Sequence, residues 1–313
     1  MKMMIPSDVT SGIFFISQLC IGFIGNLLLL TLCMYTFLVQ PRLKKPIDMI
    51  AVHLTVTNSM TIMFRLIPDI MASFGVRDLM DDVGCKAVLY IYRVTRGLSI
   101  CTTSFLNAFQ AITIGPNNSK WAWLKSKIST CIFPSFLFFW IINMLIYNRI
   151  IVSVGAQRNL TVVGSGFHQV YCKGKKFEYD HSMTFVSAML FVVLVIWTSA
   201  HMVSALLRHH RRAQHLHSTS LSSRPSPENK ATHSILWLVS CFIFFYCINS
   251  CLSIYWTFGS EKNPRMERIT GIISSCYPTI CPYMFLKNNK SISKFISYVS
   301  KMRITFSQRT FSD

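Results

Sequence analysis

Long apolar stretches separated by short polar segments run through most of the chain. Hydropathy windows of about 19 residues predict seven membrane-spanning helices. The predicted spans are residues 12–38, 47–74, 86–114, 128–152, 183–207, 233–258 and 268–286. The second, third and seventh spans carry polar groups that only neighbouring helices could shield from lipid. The pattern predicts an all-α membrane protein, a seven-transmembrane helix bundle formed by a single domain over residues 1–313.

The third predicted span is long enough to cross a bilayer, which needs about 20 helical residues, yet it is rich in polar side chains. They are Arg93, Arg96, Ser99, Thr102, Thr103, Asn107 and Gln110. Charged groups at membrane depth are costly and turn toward a bundle interior or a water-filled cavity. We therefore expect this helix to lie at the centre of the bundle.

Composition agrees with a membrane protein and excludes several other classes. Hydrophobic residues make up 51% of the chain and charged residues 14%, which is the balance of a polytopic membrane protein. The net charge of +19 does not indicate nucleic-acid binding, because the basic residues are divided among the segments between apolar spans. The sequence has no phosphate-binding loop, H-E-x-x-H zinc motif or G-x-S-x-G elbow. We therefore predict a protein that is not an enzyme and needs no cofactor.

The distribution of Lys and Arg predicts the orientation of the chain. More than half of these residues lie in segments 39–46, 114–127 and 208–232 and in the tail 287–313, where acids are few. The positive-inside rule makes those segments cytoplasmic, so the N-terminus is expected outside. No cleavage site precedes the first apolar run, and that span is expected to direct membrane insertion itself. Seven spans with an external N-terminus are typical of a G-protein-coupled receptor in the plasma membrane.

Several motifs resemble the vomeronasal type-1 receptor family. The most specific is TSFLNAFQAITIGPNNSKWAWLK, which begins at Thr103 and leaves the third span. The others are IGN in the first span, KKPIDMIAVHL entering the second, RVTRGLSICTT in the third, the block from His210 to Tyr246, and CYPTICPY in the seventh. Together they cover most of the chain.

The chain also departs from the wider rhodopsin-like pattern. The acid-Arg-aromatic triplet would fall on Phe109, Gln110 and Ala111, and it is absent. Cys281-Pro282 stands where that pattern has Asn-Pro. Both departures match the vomeronasal family, and they weaken any transfer of the rhodopsin switch mechanism. Bitter taste receptors also lack the triplet and remain the alternative; a small-solute transporter is less favoured, since no internal repeat is present.

The resemblance implies a pheromone receptor that binds a small chemosignal and activates a heterotrimeric G protein of the inhibitory type. It also implies a disulfide between Cys85, at the external end of the third span, and Cys172, in loop 153–182. In the same loop, Asn159-Leu160-Thr161 is an N-glycosylation acceptor on the predicted external side, so we expect Asn159 to be glycosylated.

The cytoplasmic loops supply the candidates for G-protein contact. They are Lys120, Trp121, Trp123, Lys125, Lys127, Arg208, Arg211 and Arg212. The alternative is that these charges only set topology. The His-containing run from Arg208 to His217 is interpreted as a solvated basic loop facing the G protein and anionic membrane lipid, not as a metal site, because nothing fixes a tetrahedral geometry.

The cytoplasmic tail 287–313 begins with a stripe of apolar residues at helical spacing. They are Ile292, Phe295, Ile296 and Val299, with lysines elsewhere around the helix. This pattern predicts a short amphipathic interfacial helix after the seventh span.

Four charged side chains are expected to meet in the outer half of the bundle. With a rise of about 1.5 Å per residue, Asp69 and Arg65 lie about 9 and 15 Å below the external end of the second span. By the same rise, Arg93 and Arg96 lie about 12 and 16 Å below the external end of the third. Asp69 can pair with Arg65 or Arg93, but one carboxylate cannot neutralise three guanidiniums. These four residues and Ser99 are the candidate ligand pocket.

The residual positive charge in this layer predicts a preference for ligands with an anionic or strongly accepting group, held by the planar donor fork of Arg. The alternative is a closed ion-pair network in which one arginine extends toward the external headgroups.

Overall fold

The computed structural model describes most of the predicted bundle. The described ranges are 6–39, 45–76, 80–114, 127–148, 150–156, 172–174, 240–252 and 264–288, together with residues 123, 193, 196, 197, 200, 203, 204, 237 and 255. The predicted fifth span 183–207 is described only at isolated positions. Arg208, Arg211, Arg212, Asn159 and the predicted tail helix lie outside the described residues.

The described elements are helices and one pair of short strands. In chain order they are α1 Pro6–Val39, α2 Pro46–Ser73, α3 Asp82–Ile114, α4 Ile132–Tyr147, α5 Ile150–Ser153, β1 Val154–Ala156, β2 Cys172–Gly174, α6 Ser240–Leu252 and α7 Pro264–Asn288. Within the described residues, four segments are long and apolar enough to cross a membrane: Val9–Val39, Pro46–Ser73, Ile132–Val152 and Arg268–Lys287.

Helix α3 is absent from that group of four because of its polar content, not its length. It contains 33 residues, which corresponds to about 50 Å of helix. Most of its polar side chains are buried, and Thr102, Thr103 and Asn107 have no exposed surface. The described neighbours shield groups that lipid could not accommodate.

Both ends of α2 are set by local sequence. Pro46 occupies the first turn, and the Asp48 carboxylate accepts a hydrogen bond from the backbone N–H of Lys45 at 2.9 Å. At the other end, Gly75 has a φ of +85°. Its N–H donates to the Ala72 carbonyl, and the N–H of the following residue donates to Met71. Glycine tolerates this left-handed conformation, which closes the helix in a Schellman motif.

A proline pair in α7 creates a backbone acceptor that α1 satisfies. Pro282 has no N–H to donate to the Pro278 carbonyl four residues earlier. Asn26 fills that role, because its Nδ2 donates to the Pro278 carbonyl at 3.0 Å and to the Gly22 carbonyl at 2.8 Å. The amide is 1% exposed. The IGN and CYPTICPY motifs therefore meet in the structure.

The neighbouring Gly25 lets the two helices approach closely. A Cβ atom at this position would lie 2.6 Å from Cε2 of Tyr283 and 3.1 Å from Cγ of Pro282. The Tyr283 hydroxyl crosses the same contact and donates to the Ile21 carbonyl at 2.7 Å. Small residues at helix contacts are typical of membrane bundles, since they allow backbones to pack without a clash.

A hydrogen-bonded chain joins α2, α3 and α4 through His53. The Trp140 indole N–H donates to His53 Nε2 at 3.1 Å. An indole nitrogen only donates, so the His53 proton lies on Nδ1, which donates to Thr102 Oγ1 at 2.9 Å. Thr102 in turn donates to the Leu98 carbonyl at 2.7 Å. The imidazole stacks on Phe136 with ring centroids 4.1 Å apart.

The largest core cluster draws on five helices. Its buried members include Ile50 and Leu54 of α2, Leu106 and Phe109 of α3, Ile132 of α4, Phe242 and Tyr246 of α6, and Tyr277 and Cys281 of α7. Helix α4 also packs Phe136 and Phe139 against this cluster, whereas its side chains at Phe133, Leu137 and Leu145 are about two-thirds exposed. An apolar surface of this kind suits contact with lipid.

Strands β1 and β2 pair in antiparallel register, with Ala156 opposite Cys172. Cys85, near the start of α3, is disulfide-bonded and completely buried. Nine of the 11 cysteines are free thiols. The pairing of Cys85 with Cys172 stays a prediction.

Replacing His53 with leucine is expected to destabilise the bundle by about 1–3 kcal/mol, the usual cost of a buried polar group left without its partner. The affected group is the Trp140 N–H. Thermal unfolding of detergent-solubilised protein measures the loss. Ser59→Ala is the matched control, because the Ser59 hydroxyl donates to the Thr55 carbonyl of its own helix. Adding Trp140→Phe should recover stability, and equal unfolding temperatures for His53→Leu and the control would contradict the role of this chain.

Candidate functional site

A partly open cavity lies between α2, α3, α6 and α7. Its polar lining residues are Thr61, Arg96, Ser99, Asn249 and Ser274. Its apolar and aromatic lining residues are Ile100, Phe242, Phe245, Tyr246, Ile273, Tyr277 and Pro278. A few converging polar groups in an apolar wall are typical of a small-molecule site.

Arg96 is the cationic side chain among the described residues that line this cavity. The Asn249 amide is assigned with its oxygen toward the guanidinium, because the opposite orientation would place donors against donors. Asn249 Oδ1 then accepts from Nη1 of Arg96 at 3.2 Å and also from Nη2. This fork joins α3 to α6 across the cavity. The guanidinium also interacts with the side chain of Tyr92.

Ser99 lies deeper in the same cavity and is 4% exposed. Its hydroxyl donates to Oδ1 of Asn58 at 2.6 Å. The proton of this hydroxyl is therefore engaged between α3 and α2. A ligand could therefore bind Ser99 only by donating a hydrogen bond to its hydroxyl oxygen.

Arg65 and Asp69 form a buried ion pair next to the cavity. Nε of Arg65 lies 3.3 Å from Oδ2 of Asp69, and the two residues are 4% and 8% exposed. The guanidinium carbon also lies 5.7 Å from the ring centroid of Tyr92, which is a cation–π distance. Of the two partners open to Asp69 in the sequence, Arg65 is the one that it contacts.

Helix α7 closes over this ion pair at a glycine. A Cβ atom at Gly271 would lie 2.8 Å from Oδ2 of Asp69 and 3.0 Å from Nη2 of Arg65. A larger side chain at this position would force the Asp69 carboxylate or the Arg65 guanidinium to move. Gly271 therefore allows α7 to pack closely against the pair, and neither Arg65 nor Asp69 is among the described residues that line the cavity.

Four of the five candidate pocket residues are thus divided between two environments. Arg96 and Ser99 line the cavity, and Arg65 with Asp69 forms the buried ion pair. Arg93 is half-buried on α3 and is not one of the described lining residues. The helical rise predicts how deep each residue lies in the bundle but not the direction in which its side chain points around the helix axis. The similar depths of these residues therefore could not show which of them face the cavity.

Of the eight candidate G-protein contacts, the structure describes Trp123 and Lys127. The Lys127 ammonium lies 4.8 Å from the Trp123 ring centroid, and the tryptophan is 60% exposed. Lys120, Trp121, Lys125, Arg208, Arg211 and Arg212 lie outside the described residues. The described pair presents a basic and aromatic surface just before α4.

Sequence reasoning missed Asn249, Gly271 and the aromatic wall. Asn249 interrupts an apolar span, and a polar side chain at membrane depth is a signal of function. That signal identifies the residue but not its partner. Gly271 and the aromatic side chains give no such signal, since their roles follow only from the approach of α6 and α7 to the other helices.

Comparison with known proteins agrees with this architecture. The sequence profile of the vomeronasal organ pheromone receptor family matches residues 9–298. The chain belongs to this family. It is 34% identical to vomeronasal type-1 receptor 1 of Homo sapiens over 292 residues, which cover 92% of this chain and 82% of that protein. It is 33% identical to vomeronasal type-1 receptor 4 of Homo sapiens, with 90% of this chain and 94% of that protein covered.

A fish relative extends the similarity further. The chain is 29% identical to olfactory receptor class A-like protein 1 of Danio rerio, over 90% of each protein. The resemblance stated from the motifs is therefore confirmed. The protein is a vomeronasal-type chemosensory receptor of the plasma membrane with several membrane-spanning helices. The vomeronasal family is a receptor family and not an enzyme family.

Proposed function

We propose that this member of the vomeronasal receptor family is a seven-span G-protein-coupled pheromone receptor with an external N-terminus. It binds a small chemosignal in the cavity around Arg96 and activates a heterotrimeric G protein. The observation that carries the proposal is the cavity itself, which combines a guanidinium, an amide and hydroxyls with an aromatic wall. Its location between four helices of the bundle is suited to a ligand that changes their arrangement.

A route for signal transfer is supported by residues that belong to both the cavity and the core. Phe242, Tyr246 and Tyr277 line the cavity and are also members of the largest core cluster. Phe242 and Tyr277 are in edge contact with ring centroids 4.8 Å apart. The Tyr277 hydroxyl lies 2.9 Å from Thr103 Oγ1 of α3. A ligand that packs against these rings would favour one arrangement of α3, α6 and α7, and only such differential affinity can shift the equilibrium.

The G protein is proposed to bind the second and third cytoplasmic loops. The exposed pair Trp123 and Lys127 supports this proposal, because it offers a cation and an aromatic surface beside α4. Family resemblance implies an inhibitory G protein. Anionic lipid of the inner leaflet is a further proposed contact of the basic loops.

On the predicted external side, we propose a disulfide between Cys85 and Cys172 and a glycan on Asn159. The disulfide proposal is supported by the bonded state of Cys85 and by the nine other cysteines that are free. A bond to β2 would tie the predicted external loop 153–182 to the start of α3. Non-reducing peptide mapping of the purified receptor tests the pairing, and deglycosylation with a gel shift tests Asn159.

The receptor function is tested in transfected cells. Cyclic-nucleotide responses are measured with a panel of volatiles, sulfated steroids and bitter compounds. We expect at least one chemosignal to activate the receptor. An inhibitor of inhibitory-type G proteins should abolish that response. Replacing the basic and aromatic candidates of both loops with Ala or Gln should abolish the response at normal surface expression. A response to bitter compounds alone would favour the bitter-taste function, and an intact response in the loop variant would contradict the proposed G-protein contact.

A further inference from the structure

The described cavity wall holds a guanidinium and no carboxylate. Arg96 faces the neutral amide oxygen of Asn249, whereas the nearby carboxylate of Asp69 is engaged with Arg65 against Gly271 of α7. Among the described residues that line the wall, no side chain therefore neutralises its positive charge. A cation in a partly desolvated apolar cavity attracts an anion more strongly than it would in water.

The geometry of the Arg96–Asn249 contact resembles the contact that a ligand head group would make. Both terminal nitrogens of the guanidinium converge on one oxygen of Asn249. A carboxylate or sulfate offers two or three oxygens to the same fork and forms shorter, charge-assisted hydrogen bonds that are roughly twice as strong as neutral ones. An anionic group within reach of Arg96 would therefore displace the Asn249 oxygen.

The rest of the cavity limits the body of the ligand. Ile100, Phe242, Phe245 and Ile273 provide apolar contact along its wall. Thr61 and Ser274 can accommodate at most a few polar substituents. The matching ligand is a small amphipathic acid, with one anionic head and a compact hydrocarbon or aromatic body.

We propose that Arg96 anchors the anionic head of such a ligand and that Asn249 is the internal group that the head displaces. This inference rests on the proposed receptor function and specifies its ligand class. Without ligand, the Arg96–Asn249 contact ties α3 to α6. The ligand takes over the guanidinium, releases α6 and is therefore an activator. Asn249 therefore determines both the potency of the ligand and the basal signalling of the receptor without ligand.

Substitutions at Asn249 separate these two effects. Asn249→Asp supplies a permanent anion, so we expect basal signalling to fall and the potency of acidic ligands to drop at least tenfold. Asn249→Leu removes the competing oxygen, and we expect higher basal signalling and potency raised severalfold. Phe244→Leu is the matched control on α6, because its side chain is 58% exposed and lies outside the cavity lining.

The probes are matched acids and neutral methyl esters: decanoate and methyl decanoate, 4-phenylbutyrate and its methyl ester, and an aryl sulfate with the parent phenol. Cyclic-nucleotide responses are normalised to surface expression. We expect wild type to prefer the acid in at least one pair by tenfold or more. Arg96→Gln should remove that preference, and Arg96→Lys should keep part of it.

A binding assay makes the outcome independent of signalling. Purified receptor in nanodiscs is heated with the acid or the ester of each pair, and the acid should raise the unfolding temperature of wild type and of Arg96→Lys. A larger shift with the ester in wild type, or an unchanged acid preference in Arg96→Gln or Asn249→Asp, would overturn the inference. If acids bind in nanodiscs but no G protein responds at any surface level, the proposed receptor coupling fails and the anion site stands.

Discussion

Replacing Asp69 with leucine is expected to remove most of the receptor from the cell surface. The substitution leaves Arg65, 4% exposed, without the carboxylate that lies 3.3 Å from its Nε. Removing one member of a buried ion pair typically destabilises a protein by about 3–5 kcal/mol, because the remaining charge is neither solvated nor neutralised. That loss is a large fraction of the stability of a typical domain, about 5–15 kcal/mol.

The double variant Arg65→Met/Asp69→Leu provides the decisive comparison. Replacing both charges with apolar side chains of similar volume is often neutral or stabilising, so surface expression should recover to near wild type. Flow cytometry of an epitope-tagged receptor measures this series, and thermal unfolding of solubilised protein gives its free energy. If Asp69→Leu and the double variant are equally depleted, the pair acts through packing and not through charge.

Replacing Asn26 with leucine is expected to destabilise the receptor by about 1–3 kcal/mol, because it leaves a buried acceptor unsatisfied. Leucine has a similar branched shape but cannot donate to the Pro278 carbonyl, which Asn26 Nδ2 reaches at 3.0 Å. The expected readouts are lower surface expression and a lower unfolding temperature. Thr31→Val is the matched control on α1, because the Thr31 hydroxyl is exposed and donates to the Leu27 carbonyl of its own helix.

A second substitution in α7 tests the mechanism directly. Pro282→Ala restores the backbone N–H that can donate to the Pro278 carbonyl within the helix. The double variant Asn26→Leu/Pro282→Ala should therefore be more stable than Asn26→Leu alone. Additive losses in the two variants would show that Asn26 contributes by some other contact, since independent sites add and coupled sites do not.

Residues in contact with the cavity are expected to behave differently from these structural residues. Arg96 and Asn249 meet across a partly open space, so their variants should reach the surface and alter the response. Asp69 and Asn26 are enclosed by neighbouring helices, and their variants should alter the amount of folded receptor. Normalising every response to surface expression distinguishes the two groups.

The sequence alone determined the helical membrane architecture, the family and the ends of α2. Apolar periodicity, Pro46 and Gly75 act over a few residues, and the chain carries the necessary information locally. It also indicated that the polar side chains of α3 turn inward, because lipid gives them no alternative. The motifs that carried the family resemblance then proved to be in contact, as with Asn26 and Pro278.

The tertiary structure decided which polar groups meet. The sequence places four charged residues at a similar depth in the bundle: Arg65, Asp69, Arg93 and Arg96. The rotation and approach of α2, α3 and α7 decide that Arg65 and Asp69 pair against Gly271 and that the Arg96 guanidinium faces the cavity. Asn249 became the partner of Arg96 for the same reason. Contacts between helices far apart in the chain depend on side-chain packing across several interfaces at once, and a linear pattern of polar and apolar residues does not encode that geometry explicitly.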